Sequence, residues 1–346
     1  MSATAAWSSA GAHCFLVPAL TGPVTGGTLY NRELTAALAS LTELAVIEPG
    51  APRLDAALER ASVVWVDSLY LELLPELSRR APGRTALILH YLPSFVELGR
   101  AAARSELNQV ERAALDAADA FLVPSAFMRD ALEAIVAPTQ KKIFVVEPGS
   151  LAGIEPAERA RSNELNAIVL ANVVPGKGIE AWLSALATAL LPSDGLRVSI
   201  VGSLTADRAH AARCRRLVDD SALLRERIVF SGPRSPSEAL CLLAGADVFV
   251  SASRMESYGL ALREARVAGI PILARAGGNV AAHVSAEAGG ELCSDETALA
   301  RALVALARNP AVLSARQQAA RTHTPAPRSW QDAAREFLTQ LVACEK

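Results

Sequence analysis

Glu256 and Glu264 are separated by seven residues, and the stretch between them passes from a loop into helical spacing at Leu260. The backbone N–H groups of Tyr258, Gly259 and Leu260 then fall at a helix N-terminus, a ready site for an anion. A carboxylate at 264, about one turn inside that helix, can accept two hydrogen bonds from a vicinal diol such as ribose. A carboxylate at 256 faces the other end of the same ligand. The pattern suits a molecule that carries a sugar and a ribose at the two ends of a diphosphate. On residue types alone, the pair also reads as two surface glutamates flanking a helix start, where negative charge is favoured. Gly259 and the turn Gly277-Gly278 favour close approach of a ligand to the backbone.

Three further stretches carry possible chemistry. Asn172-Val173-Val174-Pro175-Gly176-Lys177-Gly178 sets one compact cation between two glycines at a strand-to-helix turn, which suits a phosphate. It is not a Walker A loop, because the leading Gly and the hydroxyl after Lys are missing. An ordinary turn with an exposed Lys has the same appearance. Thr21-Gly22-Pro23-Val24-Thr25-Gly26-Gly27-Thr28 lacks the spacing of a dinucleotide fingerprint, but Gly26 and Gly27 before a helix allow close backbone approach. His90 and Asp67 each end a buried apolar run, and either can serve a ligand or a purely structural hydrogen bond. The histidines offer no pairing that suggests a metal, and a Gly-x-Ser-x-Gly elbow is missing, so Ser/His/Asp hydrolysis has no support.

These residues sit in an alternation of short apolar runs and helical patterns. Runs at Cys14–Pro18, Val63–Val66, Ala86–Leu89, Ala120–Val123 and Ile143–Val146 read as strands, with a helix over Leu29–Leu41. The segment Glu147–Glu164, with Pro148, Gly149, Gly153 and Pro156, breaks the pattern and marks a domain boundary. Runs at Ala167–Leu170, Val198–Val201, Ile228–Phe230, Val248–Val250 and Pro271–Leu273 follow, with helices over Glu180–Leu190, Arg208–Leu224, Pro236–Ala244 and Leu260–Ala268. A last helix covers Ser329–Ala343. Strands alternating with helices imply parallel sheets, and ligands of such sheets bind beyond the carboxyl ends of the strands.

Composition narrows the class. The 346 residues are comfortable for two domains. Hydrophobic residues make up 51% and aromatics only 5%, so the core is built from Ala, Leu and Val. The net charge of −2 supplies no basic field for nucleic acid. The five cysteines are too scattered for a metal site or redox pair and fit a reducing compartment. With neither a secretory leader pattern nor an apolar run of membrane-spanning length, a cytoplasmic protein is expected, and peripheral membrane contact stays open.

Taken together, these stretches resemble the retaining GT-B glycosyltransferases of glycosyltransferase family 4. Glu256 to Glu264 matches that family's Glu-x7-Glu signature, and Ala171 to Gly178 looks like its Gly-Arg-Leu-x-x-x-Lys-Gly element. Gly26-Gly27-Thr28-Leu29-Tyr30 resembles its Gly-Gly loop, Ala117 to Ser125 its segment near the end of the first domain, and Val145 to Gly149 its hinge. The Trp330 helix is similar to a terminal helix that crosses back onto the first domain. The resemblance spans nearly the whole chain and is strongest over residues 165 to 285.

It implies two doubly wound Rossmann-like parallel-sheet domains facing a central cleft: residues 1–150, acceptor-side, joined by the helix 328–346, and residues 165–325, which bind the donor. It implies a hexosyltransferase that takes a UDP-, GDP- or ADP-sugar as co-substrate, with no other cofactor and no metal. Its catalytic residues would be Glu256 on the donor sugar, Lys177 on the diphosphate and His90 on the sugar. Glu264 would hold the ribose, and backbone groups of Tyr258, Gly259 and Leu260 the phosphate and sugar oxygens. Arg234 would lie by the nucleobase, Asn172 by the diphosphate, and Gly26 and Gly27 by the phosphate and acceptor. Asn172 stands where the family usually has Arg, which removes one cation, and the segment Asn279 to Ala282 lacks the acidic residue common there. A non-catalytic GT-B subunit that binds a sugar nucleotide or a partner protein is the alternative. A GT-B phosphorylase or epimerase is a further one, though no cofactor-lysine site of the phosphorylase kind is found.

Overall fold

The computed structural model describes residues 11–21, 24–136, 141–150 and 164–344. Gly22, Pro23 and most of the expected boundary segment, including Gly153 and Pro156, lie outside the described residues. The chain divides into two compact units, Met1–Ser150 with Arg328–Lys346, and Leu151–Pro327.

The first unit holds six strands: β1 (His13–Leu16), β2 (Leu44–Ile47), β3 (Val63–Asp67), β4 (Arg84–Ile88), β5 (Ala120–Val123) and β6 (Lys142–Val145). All pair in parallel, in the order β2-β1-β3-β4-β5-β6. The sheet interior is covered on both faces, so β3 is buried at every position and reads as an unbroken apolar run up to Asp67. The helix Gly26–Leu38 follows β1, and its start is set by Thr25 and Thr28, which cap each other's backbone N–H groups.

The aromatic residues, few as they are, gather in this unit's core. Trp65 meets Phe337 edge-on at 5.0 Å and Phe144 at 5.8 Å. Phe337 comes from the helix Trp330–Ala343, whose Gln340 side chain both donates to the Val145 carbonyl and accepts from the Val145 N–H. The C-terminal helix thus completes the core of a sheet that the chain left far earlier.

The second unit repeats the plan with β7 (Leu165–Leu170), β8 (Leu196–Val201), β9 (Ile228–Gly232), β10 (Val248–Ser251), β11 (Ile272–Arg275) and β12 (Glu291–Cys293). The order is β12-β11-β10-β7-β8-β9, again all parallel. One face packs against Trp182, Leu183 and Leu186 of the helix Ile179–Ala189 and Leu299 and Leu303 of the helix Glu296–Ala307. The other packs against Leu243, Leu262, Ala265 and Val280. Among the described residues, no helix is long and apolar enough to cross a membrane.

Two strands, β2 and β12, are not among the runs expected from the sequence, although Leu44-Ala45-Val46-Ile47 of β2 is apolar throughout. Both are sheet edges, where Val46 and Leu292 are exposed. The helical pattern over Arg208–Leu224 is two helices, Arg208–Asp220 and Ala222–Arg225. The break falls at Ser221, whose hydroxyl accepts the Leu224 N–H and starts the second helix.

Phe337 is fully buried among rings of the first unit. Phe337→Ala should cost about 3–5 kcal/mol of stability, read from the midpoint of chemical denaturation.

Candidate functional site

Each sheet has one place where the strand order reverses. In the second unit it lies between β7 and β10, which are neighbours although β8 and β9 intervene in sequence. Crossovers leave to opposite sides there, so a crevice opens beyond the strands' carboxyl ends. The loops that leave β7 and β10 carry Lys177 and Glu256.

Those loops are fastened to each other. The Arg254 N–H donates to the Gly176 carbonyl at 3.0 Å. Gly178 has φ +65° and lies so close to the other loop that a Cβ would stand 2.1 Å from the Ala252 carbonyl oxygen. The third loop, after β11, joins through Gly278, where φ is +59° and a Cβ would stand 2.2 Å from the Glu256 carbonyl oxygen. No other residue type fits either position without moving a backbone. The Asn279 N–H then donates to that Glu256 carbonyl at 2.8 Å.

This packing brings Lys177 and Glu256 together. Lys177 Nζ lies 2.6 Å from Glu256 Oε1, with both side chains partly exposed. Each charge balances the other while leaving donor and acceptor capacity free for a ligand.

Gly259, with φ +95°, turns the chain into the helix Leu260–Val267. Among the described residues, the N–H groups of Gly259, Leu260 and Ala261 meet no acceptor. Leu260 begins the helix, and Tyr258 is buried, with its carbonyl oxygen accepting from Asn279 Nδ2 and His283 Nε2.

Glu264 lies on the buried side of this helix with Leu262 and Ala265. No side-chain hydrogen bond or ion pair reaches its carboxylate among the described residues. Burial alone pushes its pKa up to about 7. His283 shows the opposite response, its pKa lowered to about 4, chiefly by burial, so the ring is neutral at physiological pH.

Two further expected site residues, Asn172 and Arg234, lie in the loops after β7 and β9. The Asn172 side chain accepts the Ser203 N–H at 2.8 Å, which ties the loop after β7 to the loop after β8. Its carbonyl group is thereby committed to the protein. Arg234 is exposed, in the loop after β9, two strand positions from β7.

In the first unit the order reverses between β1 and β3. Gly26 and Gly27 open the helix after β1, and a Cβ on Gly27 would lie 3.0 Å from the His90 ring. His90 Nε2 lies 2.9 Å from Asn31 Oδ1 and 3.4 Å from Asp67 Oδ2, and Asn31 Nδ2 donates to Asp67. Tyr30 meets the His90 ring edge-on at 5.2 Å. Burial by itself would raise the Asp67 carboxyl, but His90, the Leu69 N–H and Asn31 together hold it below its ordinary value. The ionised carboxylate only accepts, which fixes the Asn31 amide with its oxygen towards His90.

Asn31, Asn279 and His283 were not marked by the sequence as polar partners of these sites. Asn31 lies inside a helical pattern, and the other two follow a turn with no recognisable spacing. Their partners are set by strand order, which residue spacing does not reveal.

Comparison with known proteins gives the class. Residues 154–323 match the family model of glycosyl transferases group 1. D-inositol 3-phosphate glycosyltransferase of Corynebacterium glutamicum is 32% identical over 153 residues, 42% of this chain and 36% of that protein. Glycogen synthase of Mycobacterium tuberculosis is 26% identical over 250 residues, 70% of this chain and 58% of that one. The chain spans between about a third and three fifths of the length of these relatives. In structure, sucrose-phosphate synthase from Thermosynechococcus elongatus superimposes with a TM-score of 0.76 at 20% identity, covering 96% of this chain and 99% of that one. Anabaena Alr3699/HepE, solved in complex with UDP-glucose, superimposes with a TM-score of 0.75 at 14% identity, covering 96% and 99%.

The fold is therefore that of the GT-B glycosyltransferases. The stretch similar to glycosyl transferases group 1 lies within the second unit, and the named relatives are a glycosyltransferase and a glycogen synthase.

Glu264 makes a pH-dependent test. Its carboxyl has a folded pKa of about 7 against an ordinary 4.5, so folding favours the protonated form. The stability this contributes is complete below pH 4.5 and lost as pH rises through about 7. Glu264→Gln should thus raise the stability of the ligand-free protein at about pH 8 by roughly 1–3 kcal/mol. Denaturation midpoints of the two proteins should converge on acidification towards 4.5.

Proposed function

We propose that this protein is a retaining glycosyltransferase of glycosyltransferase family 4, which moves a sugar from a nucleoside-diphosphate sugar to an acceptor hydroxyl. The observation that carries the reading is the buried Glu264 carboxylate, which no described residue hydrogen-bonds, directly after a turn of N–H groups without acceptors. An unpaired buried carboxylate is costly, and a diol supplying two O–H donors offsets that cost. Ribose brings such a diol on the same molecule as a diphosphate.

Lys177 and the N–H groups of Gly259 and Leu260 are assigned to the diphosphate. In the reaction the bond from the anomeric carbon to the phosphate oxygen breaks, and negative charge grows on the leaving diphosphate. Fixed donors and a cation aimed at that charge stabilise it in the transition state more than in the ground state. The acceptor oxygen attacks from the face the phosphate leaves, and its proton passes to a departing phosphate oxygen, which retains configuration. Glu256 orients sugar hydroxyls rather than attacking, since its carboxylate is already engaged by Lys177. His90, held by Asn31 and Asp67, is assigned to a hydroxyl of the transferred sugar. Lys177 and the N–H groups serve the role a metal would fill, so we assign no metal. The unpaired cysteines support a reducing, cytoplasmic setting.

The HepE structure with UDP-glucose makes UDP-sugars the first donors to test. Thermal-shift screening against UDP-, GDP- and ADP-sugars should reveal the base. Glu264→Ala should weaken binding of the preferred nucleotide by about a hundredfold, because two hydrogen bonds to a charged group are lost. Unchanged affinity would sink the assignment. Lys177→Ala should lower the rate of transfer by about 10²–10³-fold, measured as nucleoside diphosphate released in the presence of acceptor.

A further inference from the structure

The carbonyl of Tyr258 is held by two side chains that come from elsewhere in the chain. Asn279 Nδ2 donates to it at 2.8 Å and His283 Nε2 lies 2.7 Å away. A carbonyl oxygen has two lone pairs, so both are used. Since a carbonyl only accepts, the His283 ring must carry its hydrogen on Nε2. The same ring meets the Tyr258 ring edge-on at 4.9 Å. It also lies 3.3 Å from where a Cβ on Gly259 would stand. Both residues are buried on the turn that follows β11.

In a planar trans peptide the carbonyl and the following N–H point in opposite directions. The chain contains no cis peptide bond among its described residues. Fixing the Tyr258 carbonyl therefore also fixes the direction of the Gly259 N–H, which meets no acceptor among the described residues. Gly259 places no steric limit on this peptide, because glycine populates both signs of φ. A flipped peptide would present a carbonyl oxygen where an anion is to bind. Two donors on one carbonyl oppose that flip.

We propose that Asn279 and His283 are positioning residues of the donor site, which aim the Gly259 N–H at a phosphate oxygen of the nucleotide-sugar. The proposal rests on the glycosyltransferase reading, in which the unpartnered Glu264 carboxylate in the adjoining helix takes the ribose of the same ligand. Neither residue touches the ligand in this scheme.

The test is calorimetric titration of the wild type, Asn279→Ala, His283→Phe and His283→Gln with UDP, GDP and ADP and with the matching nucleosides. His283→Phe keeps a ring against Tyr258 but removes the donor, and His283→Gln retains an N–H. The wild type should bind one diphosphate. Asn279→Ala and His283→Phe should weaken that diphosphate by about tenfold each, leaving the nucleoside unchanged, and His283→Gln should recover part of the loss. Glycine-selective ¹⁵N labelling should show the Gly259 amide resonance moving on diphosphate addition in the wild type, and moving less in His283→Phe. Equal diphosphate affinity in all four proteins overturns the positioning role. A parallel loss of diphosphate and nucleoside affinity also overturns it, since that is general damage to the site. A wild type that binds none of the three diphosphates overturns the underlying glycosyltransferase reading instead.

Discussion

After β7 the chain adds β8 and β9 on one side of the sheet and then returns to lay β10 on the other. The reversal leaves the loops beyond β7 and β10 side by side. Polar groups there must be satisfied by side chains, by one another or by a ligand. The Lys177–Glu256 ion pair, the contact from Arg254 to Gly176 and the close approach of Gly178 to Ala252 all follow from that placement. The second neighbour of β10, β11, supplies the turn that holds the Tyr258 carbonyl. The candidate donor site is thus the outcome of one topological choice, filled in by three loops.

The two units solve the same problem with different chemistry. At the reversal in the first sheet, Asn31, Asp67 and His90 satisfy each other, and the buried carboxylate has partners on several sides. In the second unit Glu264 has none among the described residues, and its pKa rises as that of an unpaired buried acid must. A satisfied network orients a side chain. An unsatisfied group marks a place where binding can be favourable, because the cost of burial is already present in the free protein.

The departures from the family pattern gain a local meaning from the structure. Asn172, in the position where Arg is usual, has its carbonyl oxygen bound to the Ser203 N–H and serves to join two loops. Lys177 brings a positive charge to Glu256, and Arg263 and Arg266 act on His283. Asn279, in the segment that lacks the acid common in the family it resembles, donates to the Tyr258 carbonyl. Both are neutral amides committed to hydrogen bonds within the protein.

Most of the sheet interior could be read from the chain, because a parallel strand covered on both faces must be apolar at every position, as Val63–Val66 and Val248–Val250 are. Strand β12, three residues long with Leu292 exposed, leaves no apolar run to read, whereas β2 is apolar throughout and was missed. Residue types and local spacing marked Glu256, Glu264, Lys177 and His90 as candidates, with a structural reading open for each, and the roles expected of them came from the family resemblance. Pairing was not legible. Lys177 and Glu256 are 79 residues apart, and only strand order makes β7 and β10 neighbours. The same holds for Asn31 with His90 and for His283 with Tyr258. Burial of Glu264 was likewise decided by tertiary packing, because a helix shows which residues share a face but not what that face is pressed against.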